Sequence, residues 1–191
     1  MPDTSISGLT ASSSPASEDL MVLLDVDGTV GSKTQSITLS ELASTLRALN
    51  EEANAAEYGS MYVSDNSTAQ DLTADTWAII DHFVAGECNG VTAGTNNLTI
   101  ETTGGYDVGI SVSWQGGNNI TFEVAVFVNG SEVPAVEFWR KMGTAGDIGN
   151  GGARNILELT AGDEVDVRIM AVALGGSITV KAAQLSLHRI F

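Results

Sequence analysis

The chain has 191 residues, 43% hydrophobic and 17% charged, enough apolar material for one medium domain with appendages and too much for a wholly disordered chain. Eight Lys and Arg stand against 24 Asp and Glu, a formal net charge of −16. That balance disfavours nucleic acid and anionic membranes as partners, and suits docking onto a basic surface. Residues 1–37 read as an extended arm. Its Ser-rich stretch, Thr10 to Ser17, cannot bury enough surface to offset its own ordering. Ile6, Leu9 and the run Leu20 to Leu24 are its apolar anchors. The Asp27-Gly28 turn dipeptide, followed by the extended stretch Ser36 to Leu39, predicts a small hairpin. No basic stretch precedes a long apolar one here, so no signal peptide is expected.

Residues 38–57 carry the helical pattern. Thr38 and Glu41 have the spacing of a capping box. Leu39, Leu42, Leu46, Leu49, Ala53 and Ala56 follow at alternating intervals of three and four. This stripe fits either one helix lying on a core or a seam between like helices. Its narrowness favours the seam, and a neck of roughly 27–30 Å is expected.

Residues 58–191 read as β throughout. Strands are expected at Ser60–Val63, Trp77–Ile80, Leu98–Thr102, Tyr106–Trp114, Asn119–Val128, Ala135–Trp139, Asn155–Leu159, Glu164–Ala173 and Ser177–Ile190. Val108, Ile110, Val112 and Trp114 alternate with Asp107, Gly109, Ser111 and Ser113, the period of a half-buried strand. Asn129-Gly130, Ala161-Gly162 and Gly175-Gly176 punctuate the series at hairpin spacing. The fold class expected is mainly β: a C-terminal jelly-roll β-sandwich, preceded by a short helical neck and an extended N-terminal arm. The longest apolar run, Ile169 to Leu174, is six residues, too short to span a membrane as a helix. The Gly- and Asn-rich stretches 86–97 and 143–153 are expected as head loops, with Asn89, Asn96, Asn97, Asp147 and Asn150 as candidate binding side chains.

Few residues offer chemistry. Cys88 is the single cysteine, so neither an internal disulfide nor a cysteine metal cluster can form; it reads as a small buried residue. His82 and His188 have no partner pattern and read as structural or surface groups. Asp65, Asp71, Asp75 and Asp81 could offer oxygens to a hard cation, but not at EF-hand spacing, and read as a solvated acidic face. Trp77, Trp114 and Trp139, with Phe122, Phe127 and Phe138, read as core. No catalytic residue, metal or cofactor is expected. One motif speaks against this: Leu23 to Val30, with Asp25-Val26-Asp27-Gly28-Thr29, resembles the first motif of the haloacid dehalogenase superfamily. By that resemblance Asp25 would be a phosphoryl-attacking nucleophile, Asp27 its acid/base partner, and Mg²⁺ would bridge them. The βαβ rhythm of that superfamily is missing, and a plain turn accounts for the same residues.

Two further resemblances set the functional expectation. Residues 104–128 and the stretch Ile156 to Val165 resemble the complement-globular-head and tumour-necrosis-factor-like jelly rolls, over roughly residues 58–191. That resemblance implies a trimer. The N-terminal zone, with Ile6-Ser7-Gly8-Leu9, Asp19 to Val22, Asp27-Gly28, Lys33 and Ile37 to Leu42, resembles the leader of tailed-phage virion proteins. It implies a docking role for Ile6, Leu9, Leu20, Val22 and Leu24, with a major capsid protein or another virion protein as partner. The expectation is a non-enzymatic homotrimer on a virion surface, a capsid decoration protein or head fibre. The alternative is a tail-fibre protein that binds a host surface glycan or protein receptor.

Overall fold

The computed structural model describes residues 20–22, 36–38, 40, 42–47 and 56–191. The chain divides between Ala55 and Ala56 into two compact units. In the first, β1 (Leu20–Val22) pairs antiparallel with β2 (Ser36–Thr38), Leu20 opposite Thr38 and Val22 opposite Ser36. The turn expected at Asp27-Gly28 lies outside the described residues. Ile6, Leu9, Leu24, Asp25 and Asp27 lie outside the described residues. Residues 40 and 42–47 are helical, with Leu42 half-buried and Leu46 57% exposed. Leu39, Leu49 and Ala53 also lie outside the described residues. Thr38 ends β2, a backbone state that a helix cap also takes. One detail of the expected neck is corrected. Ala56, expected as the last seam position, is exposed and outside any helix, and its carbonyl accepts a 2.7 Å hydrogen bond from Asn89 Nδ2. Two residues further on the chain is a strand, so this stretch is already committed to the sheet.

The second unit is a sandwich of twelve strands. These are β3 (Tyr58–Val63), β4 (Gln70–Leu72), β5 (Ala78–Ile79), β6 (Val84–Asn89), β7 (Val91–Ala93), β8 (Asn97–Ile100), β9 (Gly104–Gly116), β10 (Ile120–Val128), β11 (Ser131–Met142), β12 (Ile148–Leu159), β13 (Glu164–Val172) and β14 (Gly176–Arg189). One sheet runs β11-β10-β13-β8-β7, with β5 on β13. The other runs β12-β9-β14-β3-β6, with β4 on β14. Apart from the β10–β11 hairpin, each long strand from β9 to β14 hands the chain to the other sheet. That is jelly-roll winding, in which both sheets can form only together.

Alternation decides which side chains meet in the middle. Tyr106, Val108, Ile110, Val112 and Trp114 of β9 point inward, as do Phe122, Val124 and Val126 of β10 and Leu185 and Leu187 of β14, all at most 5% exposed. Trp114 is the largest of them. Its ring meets Phe122 edge-on at 5.7 Å and Phe138 at 6.2 Å. Asn129 and Gly130 both take positive φ, 50° and 77°, which makes the two-residue link between β10 and β11 the turn whose twist matches its strands.

Two expected loops prove to be strands. Residues 148–153 begin β12, and 86–89 and 91–93 belong to β6 and β7. Their glycines follow from packing. A Cβ on Gly151 would lie 2.2 Å from the Phe138 ring, and one on Gly152 would lie 2.7 Å from the Ile110 carbonyl oxygen. Trp139, expected in the core, is 55% exposed.

Candidate functional site

The outward face of the β12-β9-β14-β3-β6 sheet is built from four cross-strand rows. Asn150, Ser113 and Ala182 form the first. Gly152, Ser111, Gln184, Tyr62 and Val84 form the second. Arg154, Gly109, Ser186 and Ser60 form the third. Ile156, Asp107, His188, Tyr58 and Asn89 form the fourth. Serine, glycine and alanine keep the middle of this face low. The first two rows enclose a shallow depression of about 320 Å³ lined by Tyr62, Ser111, Ser113, Asn150, Ala182 and Gln184. Tyr62, Val84 and Ile156 are 44%, 55% and 56% exposed, which is much apolar surface to leave in water.

The four rows carry no net charge. Their two ionised residues, Arg154 and Asp107, are paired with each other through both carboxylate oxygens, Nε to Oδ1 at 2.6 Å. Exposed Glu158, two residues beyond Ile156 on β12, and Glu87 on β6 stand at the margin. The Arg154 guanidinium, as hydrogen-bond donor and nearby charge, holds the Asp107 carboxyl below its usual range. Elsewhere the head is acidic. Residues 56–191 hold 6 Lys and Arg against 16 Asp and Glu, a net −10, and residues 1–55 hold 2 against 8, a net −6. The charge lies in connections and on the opposite sheet, whose outward face presents Glu123, Glu132, Glu137, Glu164 and Asp166. Asp166 binds the Arg168 guanidinium at 2.7 and 3.0 Å, and that guanidinium stacks 4.3 Å from the Phe127 ring centre.

Glu123, Glu132 and Glu137 each bring a carboxylate oxygen within 4.8 Å of the others. Burial, then the neighbouring Glu137 and Glu132 carboxylates, push the Glu123 carboxyl above its usual range. Among the described residues, this is the one trio of potential ligands that gathers; Asp65, Asp71, Asp75 and Asp81 do not. Asp75 spends an oxygen on the Ala173 N–H at 2.8 Å.

A third cluster fixes the start of β3. The Tyr106 hydroxyl lies 2.7 Å from the Thr102 carbonyl and 3.1 Å from Glu57 Oε2, and Arg189 Nη1 pairs with Glu57 Oε1 at 3.0 Å. Burial and the Glu57 carboxylate push the Tyr106 phenol up to about 12 from an ordinary 10.0. Below pH 10 the phenol is protonated in folded and unfolded chains alike. Between pH 10 and 12 the unfolded chain gives up the proton while the folded one keeps it, so stability falls as pH rises through that window. Tyr106→Phe is expected to flatten that fall in urea melts and to lose about 1 kcal/mol at neutral pH, the ordinary worth of such a hydrogen bond. An unchanged alkaline slope would show that other groups set it.

The side chains expected as head-loop ligands do not converge. Asn89 ends β6 and bonds the Ala56 carbonyl. Asn96 sits at φ 61° and accepts the Phe83 N–H at 3.1 Å. Asn97 is in β8 and donates to Glu164 at 3.3 Å. Asp147 accepts the Thr144 N–H at 3.1 Å and closes a turn. Asn150, inside β12, shares the outward face with Asn89 but stands three rows from it. His188 stacks obliquely on Tyr58 at 6.3 Å, and the Cys88 thiol is half-buried, 3.8 Å from the Ser60 carbonyl. The outward face was legible as the polar half of the Asp107 to Ser113 alternation; its lack of net charge needed the partner strands.

No protein-family model matches the chain, and no curated protein is similar to it. Solved structures do share the fold. The structure of Eiger TNF from S. frugiperda superposes with a TM-score of 0.55 at 13% identity, covering 71% of this chain and 94% of that one. Murine APRIL at pH 5.0 superposes with a TM-score of 0.51 at 13% identity, covering 70% of this chain and 100% of that one. The head shares the jelly-roll fold of these two structures.

Proposed function

We propose that the chain is a non-enzymatic homotrimer on the surface of a tailed-phage particle, a capsid decoration protein or head fibre. The observation that carries the trimer is the outward face of the β12-β9-β14-β3-β6 sheet. Within a head of net −10 its four central rows have no net charge, a depression, and exposed Tyr62, Val84 and Ile156. Three copies of the chain would carry three times −16, so they can associate only where charge is scarce and apolar contact dense. The likeness to the two solved jelly rolls supports the same reading. The heptad-spaced sequence pattern at Leu39, Leu42, Leu46, Leu49 and Ala53 would add a second seam.

The particle is supported by the resemblance of residues 1–42 to phage virion leaders. In this reading Ile6, Leu9, Leu20, Val22 and Leu24 dock each copy. Threefold symmetry turns three weak docking contacts into one durable attachment. The partner is the major capsid protein or another virion protein; among the described residues, no helix is long and apolar enough to cross a membrane. Antibody labelling of purified particles tests the placement. Label on the capsid is expected. Label at the tail tip would favour the receptor-binding alternative, and bare particles would end the virion reading. The phosphatase alternative through Asp25 and Asp27 meets its own test in Asp25→Asn, which should leave phosphatase assays at background, as wild type does.

A further inference from the structure

The β10–β11 hairpin carries an irregularity that the trimer does not need. From its turn the two strands pair in step: Val128 with Ser131, Phe127 with Glu132, Val126 with Val133. The register then jumps, and Ala125 pairs with Glu137. Pro134, Ala135 and Val136 have no partner on β10. Pro134 lacks the N–H that a ladder requires, so the strand yields where pairing is already lost. Because the jump is three residues, an odd number, it exchanges the two faces of β11 beyond it. In continued register Glu137 would oppose Phe122 and face the core. With the jump it turns outward, beside Glu132 and across from Glu123, and Trp139 comes to lie directly opposite Glu123.

The result is costly unless something offsets it. Glu123 is nine-tenths buried, only 7% exposed, and is turned into this cluster. Among the described residues no N–H group donates to its carboxylate and no Lys or Arg pairs with it; the one group within hydrogen-bonding reach is another carboxylate, that of Glu137. Arg168, opposite Ala125 on β13, is held by Asp166. Ionised carboxylates this close repel strongly, and most of all where water is scarce. Nothing in the packing requires Glu123 to be acidic, since its cross-strand neighbours are Trp139 and Met170.

We propose that Glu123, Glu132 and Glu137 form a divalent-cation site suited to calcium. Calcium takes six to eight oxygens in flexible geometry, and three carboxylates supply up to six. Glu132 is exposed, so water can complete the shell from the solvent side. Magnesium demands a tighter octahedron and keeps its water, which suits three converging carboxylates less well. The bound ion would tie the displaced part of β11 to β10 and stabilise the folded chain in proportion to its occupancy.

Trp139 provides the readout. The full-length chain is titrated with terbium, a calcium mimic, while Trp emission transfer is recorded. Sensitised terbium emission that calcium displaces and magnesium displaces poorly is expected. Millimolar calcium should raise Tm by about 3–6 °C over chelator. Glu137→Gln and Glu123→Gln keep the shape of the side chain, and each should weaken calcium binding at least about tenfold. In chelator, Glu123→Gln should melt above wild type, because the repulsion is relieved. Wild type that neither sensitises terbium nor gains Tm with calcium would overturn the site, leaving a shared proton to settle the charge. An equal calcium response in wild type and Glu137→Gln would overturn it too, placing the ion elsewhere.

Discussion

If the chain trimerises as proposed, Gln184→Glu combined with Asn150→Asp should convert the full-length trimer to monomers, read by light scattering as a threefold fall in mass with an unchanged far-ultraviolet circular dichroism spectrum. Both substitutions keep the side-chain shape and change only its charge. Both positions are exposed in the single chain, on the outward side of β14 and β12, so the fold loses nothing. They border the depression in the first two rows, the part of the face where closest contact is expected. Each trimer would gain six negative charges, desolvated and without a basic partner. A buried unpaired charge costs several kcal/mol. Even about 4 kcal/mol would weaken association roughly thousandfold. Ser131→Asp adds a charge to the opposite sheet, at an exposed position beside a turn, and should leave the assembly intact. A trimer that survives the double substitution would place the seam on another surface.

The second large effect is in the core. Trp114→Ala should lower stability by about 3–5 kcal/mol in urea or thermal melts, a large fraction of what holds a domain of this size. The ring is fully buried between Phe122 and Phe138, and it bridges the two sheets. Removing it leaves a space that strands on both sides cannot close without breaking their ladders. Trp114→Phe should cost much less. The indole N–H is buried without a hydrogen-bond partner, so its loss forfeits no bond and relieves an unsatisfied donor. If Trp114→Phe proved as harmful as Trp114→Ala, the shape of the indole rather than its bulk would be what the core requires.

Where a strand is half-buried, its sequence announces it. The alternation from Asp107 to Trp114 places β9 and both its faces, and Asn129-Gly130 places the hairpin turn. Glycine misleads where it serves packing. Gly149, Gly151 and Gly152 read as a loop, yet they lie in β12, where Met142, Phe138 and the Ile110 carbonyl occupy the space a Cβ would need. The trio of glutamates was not legible, because the register jump that assembles it exchanges faces and leaves no mark in periodicity except Pro134. Charge counted by halves of the chain assigns −12 to residues 1–95. Counted at the boundary the fold provides, residues 1–55 hold only −6, and six acidic residues from Glu57 to Glu87 belong to the head. Loop carboxylates such as Asp65 and Asp75 therefore lose their apparent tie to the arm.

The pairing of β3 with β14 has a consequence for synthesis. Tyr58 meets His188 across 130 positions, and β14 lies between β9 and β3, so the sheet has no centre until β14 arrives. At about 5–20 residues per second on the ribosome, β3 waits roughly 6–25 s for its partner. During that interval β9 and β3 expose apolar faces and open edges in a crowded cytosol, the condition that recruits holding chaperones and favours mispairing between nascent chains. High-contact-order β folds are also slow to close once complete. Yield from expression should therefore rise more with slower translation or added chaperone than with any surface substitution.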